Sequence, residues 1–172
     1  MRWTALLVVM VLAGNALTCA SGPGCLREST QQFLDSRDED SWYHVLRCAT
    51  DDDTLDGRVV RAFSEFNRAR MRRDLPNSMA QIGEAGRLAA RESALRAYED
   101  AVSRVQELQT STFWMLVKEL ACQQFDDDLV WSSVELAHVL QRDLFNEIVA
   151  GPCGEHEVVR KCVDRLGSRN HP

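Results

Sequence analysis

The chain has 172 residues, with 20 Lys and Arg against 26 Asp and Glu, a formal net charge of −6. Hydrophobic residues make up 45% and charged residues 27%, a globular composition that excludes disordered and collagenous chains and suits one domain better than two. The negative balance argues against a general nucleic-acid binder, which needs a positive footprint.

Arg2 precedes an uncharged run whose apolar heart is Ala5–Ala13, and Thr18 and Ala20 then offer small residues at the −3 and −1 positions of a cleavage site. This is the order of a secretory signal peptide, expected to span residues 1–20 and to leave one secreted domain over 21–172. The apolar heart is too short to cross a bilayer, so no membrane association is expected once the leader is gone. Cleavage after Ala20 removes Cys19 and leaves Cys25, Cys48, Cys122, Cys153 and Cys162. Five is odd. In an oxidising compartment that number implies two intrachain disulfides with a leftover thiol, or a disulfide-linked dimer. Cleavage after Thr18 would instead retain Cys19 and allow three bridges.

From Gly24 onward the chain reads as amphipathic helices. A first is expected over about 24–35, with Leu26, Phe33 and Leu34 inward. A second over about 40–50 carries Trp42, Val45, Leu46 and Cys48, capped by Asp38 or Asp40. The Asp51–Thr54 run supplies caps for a third over about 54–73, where Leu55, Val59, Phe63 and Phe66 follow helical spacing. The sequence Asp74-Leu75-Pro76-Asn77-Ser78 breaks the chain, because proline disfavours helix in the residue before it. A long helix follows, with Leu95, Tyr98, Val102, Val105, Phe113, Leu116 and Leu120 inward. It runs to about 123 or kinks at Thr110-Ser111-Thr112. A helix over about 127–149 has Val130, Val134, Ala137, Leu140, Leu144 and Ile148 on its inner stripe, and Gly151-Pro152 ends it. The last helix, about 154–166, has Gly167 placed as its cap. The fold class expected is all-α: a compact, disulfide-stapled antiparallel bundle of five or six helices. Cys25 and Cys48 could pin the first two helices and Cys122 could reach Cys153 or Cys162, but spacing does not fix the connectivity.

Arg70-Met71-Arg72-Arg73 resembles the recognition sequence of furin-like proprotein convertases, which a secreted chain would meet. Cleavage after Arg73 would produce a two-chain factor; the bland alternative is that arginines gather in a last helical turn to complement its dipole. Residues 26–56 hold nine acidic and three basic groups, whereas 58–73 hold six arginines and one glutamate. Arg58, Arg61, Arg68 and Arg72 fall near one helical face, which an anionic partner would fit. Asp52, Thr54, Asp56 and Gly57 resemble the front half of a calcium loop, but Phe63 stands where the closing acid belongs.

The sequence contains no Gly-x-Ser-x-Gly, no His-Glu-x-x-His and no Gly-rich phosphate loop. No catalytic residue, metal or cofactor is therefore expected. Trp42, Phe63, Phe66, Trp114 and Trp131 read either as core or as the walls of an apolar cavity. Taken together these features suggest a secreted interaction factor whose partner is an extracellular protein. The alternative is a carrier of a small hydrophobic ligand.

Overall fold

A computed structural model of the chain describes residues 24–74 and 83–169. The leader, the break at Leu75–Ser78 and His171 lie outside the described residues. Those residues form α1 Cys25–Ser36, α2 Glu39–Thr50, α3 Leu55–Asp74, α4 Glu84–Leu108, α5 Ser111–Cys122, α6 Asp127–Leu140, α7 Arg142–Ala150 and α8 Glu157–Arg169. A 3₁₀ turn at Pro152–Glu155 precedes α8. Among the described residues there is no strand, and no helix is long and apolar enough to cross a membrane.

The helices number eight rather than six because two long spans break. The first break falls at Gln109-Thr110, where Thr110 turns extended and its Oγ1 accepts the Phe113 N–H at 3.1 Å. The second falls at Gln141 (φ −142°, ψ 78°), between α6 and α7. The apolar stripe continues in register across that break, so periodicity alone carries no sign of it. The break folds α7 back, and Phe145 and Ile148 pack with Val130, Val134, Val159 and Cys162. Gly167 does not end α8, which runs on to Arg169.

Local chemistry sets most of the turns. Arg37 closes α1 in the left-handed region (φ 55°), with its N–H donated to the Phe33 carbonyl at 2.8 Å. Asp38 then caps α2, accepting the Ser41 N–H at 2.7 Å. A two-residue connection thus reverses the chain, and the Cys25–Cys48 disulfide fastens the far ends of the two helices. Between α2 and α3 the backbone comes too close for any side chain at Gly57: a Cβ there would lie 2.2 Å from the Asp52 carbonyl oxygen. Gly154 is similarly confined, 2.0 Å from the Val149 carbonyl oxygen. The Cys122–Cys153 disulfide ties the end of α5 to the turn before α8.

Two apolar clusters result. The larger gathers α1 to α5 and one face of α6 around Phe33, Trp42, Phe63, Phe66 and Phe113, and the smaller gathers α5 to α8 around Val134, Ile148 and Cys162. Cys162 is not a disulfide partner. It lies fully buried, its Sγ 3.9 Å from the Trp131 carbonyl oxygen, because Cys122 is already joined to Cys153. A thiol so enclosed cannot bridge to a second folded chain. Leu95 also departs from expectation. It is 45% exposed, as Leu88 is 61% exposed, since α3 ends at Asp74, level with Tyr98, and α4 extends past it.

Phe63 touches Trp42, Phe66 and Phe113, with ring centroids 5.9–6.3 Å apart. Phe63→Ala is therefore expected to destabilise the fold by about 3–5 kcal/mol. Val139→Ala, on an exposed surface, should change stability by less than about 0.5 kcal/mol; urea unfolding of both variants measures the difference.

Candidate functional site

The basic run on α3 is mostly internal. Arg70 is 3% exposed; its Nε donates to Ser132 Oγ at 2.7 Å and its Nη2 to Asp128 Oδ1 at 2.5 Å. Arg73 makes a two-pronged contact with Glu135, Nη1 to Oε1 at 2.6 Å and Nη2 to Oε2 at 3.0 Å. Its guanidinium also sits 4.2 Å over the Tyr98 ring, whose hydroxyl donates to Glu135 Oε1 at 2.9 Å. Arg165 of α8 reaches Asp74 at 3.3 Å. The peptide bond after Arg73 is helical, so a convertase, which needs an extended substrate, would have to unwind the last turn of α3.

Burial opposes the charge on Arg73, yet the hydrogen bonds and charges of Glu135 and Asp74 outweigh it and hold its pKa above the ordinary value. Burial likewise pushes the Tyr98 phenol up, and the Glu135 carboxylate beside it adds to the shift.

The proposed anionic-partner face is only partly assembled. Arg58, Arg68 and Arg72 are exposed. Arg58 stands about 21 Å along the helix from Arg72, at 1.5 Å per residue. Arg61 turns inward: its Nη1 donates to the Ala49 carbonyl and to the Asp52 carbonyl at 2.6 Å, closing the end of α2. Arg68 and Arg72 border a shallow groove that also contains Arg104, Glu65 and Asp100, and Arg104 pairs with Glu65 at 2.7 Å.

The half calcium loop is occupied with capping. Asp52 Oδ1 accepts the Thr54 N–H at 2.8 Å, Thr54 Oγ1 accepts the Gly57 N–H at 3.3 Å, and Asp56 accepts the Thr110 hydroxyl at 2.6 Å. Cys25, His44 and Cys48 form the one close group of three metal-ligating side chains among the described residues. Two of its sulfurs are spent on each other in the disulfide.

None of the five aromatic residues expected as core or as cavity walls, Trp42, Phe63, Phe66, Trp114 and Trp131, lines the large cleft of the described residues. Trp42, Phe63 and Phe66 are fully buried against one another or their neighbours, and Trp131 packs in the other cluster. A large opening lies elsewhere among the described residues, a cleft of about 1000 Å³ between α1, the α2–α3 turn, α3 and the start of α5. Its floor is apolar, from Leu26, Val59, Val60, Phe113 and Leu116, and Met115 stands exposed at its edge. Asp51, Asp52, Asp53 and Asp56 also line it, with Arg27. The Cys25–Cys48 disulfide belongs to the same lining, and the Thr110–Asp56 bond joins the start of α5 to the start of α3. Its parts come from three distant stretches of sequence, each of which reads as an ordinary helix or cap. Such an opening can hold an apolar body while leaving a polar end in water.

Comparison with protein-family models, with curated proteins and with solved structures finds no match. The fold and the cleft together define a class: an all-α, disulfide-pinned helical protein with a sizeable, largely apolar cleft.

Arg73→Ala would leave Glu135 buried without its two-pronged partner and should destabilise by about 3–5 kcal/mol; Arg73→Met with Glu135→Leu should recover much of that loss in denaturant titrations. Tyr98 supplies a pH test. Its proton is held more tightly in the fold than in the unfolded chain, where the phenol titrates near 10.0. The stability it contributes is therefore complete below pH 10 and declines as pH rises beyond it. In a Tyr43→Phe background, phenolate absorbance should appear only as helical ellipticity is lost. Ionisation near pH 10 with the helices intact would contradict the burial of Tyr98.

Proposed function

We propose that the chain is an exported, non-catalytic binding protein whose working surface is the cleft between α1, α3 and α5. The carrying observation is the cleft itself, about 1000 Å³ with a floor of buried apolar side chains, a size within the upper range of small-molecule sites. This favours a small amphiphilic or hydrophobic ligand over a protein partner. Export is supported by the signal-peptide order of residues 1–20. It is supported further by the two disulfides, which persist in oxidising compartments and are rare in reducing ones. Oxidised, these bonds hold the α1–α2 wall and the α5–α8 end in place. The helical, ion-paired setting of Arg73 supports a protein that works as one chain rather than as a cleaved pair.

Intact mass of the protein collected from the medium of expressing cells tests export and processing together. The expected species has lost its leader, runs as one chain after reduction, and holds two disulfides. An unprocessed, fully reduced chain retained in the cytosol would overturn the reading. Titration with the neutral dye Nile red tests the cleft: saturable binding at one site per chain is expected, and Gln31→Trp, at the exposed edge of the cleft, should weaken it at least tenfold. Absence of saturable binding by the folded protein would refute a small-ligand site.

A further inference from the structure

The charges around the cleft point to a narrower ligand class, an inference that rests on the cleft being a binding site. Four carboxylates line it, Asp51, Asp52, Asp53 and Asp56, against a single lining cation, Arg27. Arg61, from just outside, approaches Asp53 with its Nη2 at 3.6 Å, while its Nη1 is committed to the Ala49 and Asp52 carbonyls. Asp51 and Asp53 are exposed at the mouth, so their charge faces whatever enters. Asp52 and Asp56 use one oxygen each in capping the turn and in receiving Thr110, bonds that fix their positions. The acidic side is therefore held in place by the same bonds that build the α2–α3 turn. It retains a net negative charge after both arginines are counted.

We infer that the cleft takes a small cationic amphiphile, with its hydrocarbon body against the accessible Leu34 and Met115 side chains above the Leu26–Val60–Phe113–Leu116 floor and its ammonium group at the aspartate mouth. Burial of the body supplies affinity in proportion to the apolar area covered. The aspartates supply discrimination, since an anionic head would be repelled where a cationic one is drawn in. Because the mouth is open to water, that discrimination weakens with salt.

The test compares three amphiphiles of equal chain length below their micelle concentrations: dodecyltrimethylammonium, dodecyl maltoside and dodecyl sulfate, each titrated calorimetrically into the disulfide-intact protein. The cationic species should bind at least tenfold more tightly than the anionic one at low ionic strength. That ratio should shrink several-fold at 0.5 M salt, on the order expected for screened surface charges. Asp51→Asn with Asp53→Asn should bring the ratio close to one, and Arg27→Gln should raise it. Equal binding of all three head groups would overturn the charge inference and leave the binding site standing. No saturable binding of any of them, with helical ellipticity intact, would overturn both.

Discussion

The structure depends on a charged contact made where water is scarce. Glu135 is 2% exposed, and a carboxylate so placed is tolerable only because Arg73 meets both its oxygens and Tyr98 donates to one of them. Arg70, one turn earlier and itself 3% exposed, adds bonds to Ser132 and to the more exposed Asp128. These contacts lie between the two apolar clusters and join α3, in the first, to α6, which also packs in the second. Apolar packing has no direction and would allow the two layers to slide. Paired donors and acceptors restrict α3 and α6 to one register, because any other leaves a buried charge unmatched. Arg165 carries the same chain of charges to α8 through Asp74.

The covalent links act at the opposite ends of this frame. The disulfides close spans of 23 and 31 residues, and in the chain-entropy account each stabilises by about 3–4 kcal/mol. The first holds α1 against α2, so the wall of the cleft cannot splay away from its floor. Gly57 and Arg61 serve the same end, one by letting the backbone approach closely and the other by closing the end of α2. The cleft is thus bounded by the stiffest local chemistry in the chain, a fitting arrangement for a preformed site.

The arginine cluster shows how one pattern admits opposite roles. As a string, Arg70-Met71-Arg72-Arg73 reads as an exposed basic motif. In the fold, Arg70 and Arg73 point inward and Met71 and Arg72 outward, because helical residues three apart share a face and those between do not. Spacing alone left the choice open, since the acidic partners stand about sixty residues away on α6.

What was legible from sequence followed from local rules. The bounds of α1, α2 and α3 were set by Asp38, the Asp51–Thr54 run and apolar spacing, and the core residues Phe33, Trp42, Phe63 and Phe66 were already marked by period. The all-α class needed nothing more, whereas the pinning of α1 to α2 by Cys25 and Cys48 was one pairing among several that spacing leaves open. Tertiary structure alone decided the rest. The bend at Gln141 keeps an unbroken stripe on both sides; Cys153 rather than Cys162 lies within reach of Cys122; Leu95 stays exposed because α3 ends early. The cleft is also tertiary, for its floor and its aspartate mouth exist only once α1, α3 and α5 converge. Backbone hydrogen bonds and side-chain period act over a few residues, and a sequence records them directly. A cavity or a buried ion pair depends on distances between segments that the chain order does not contain.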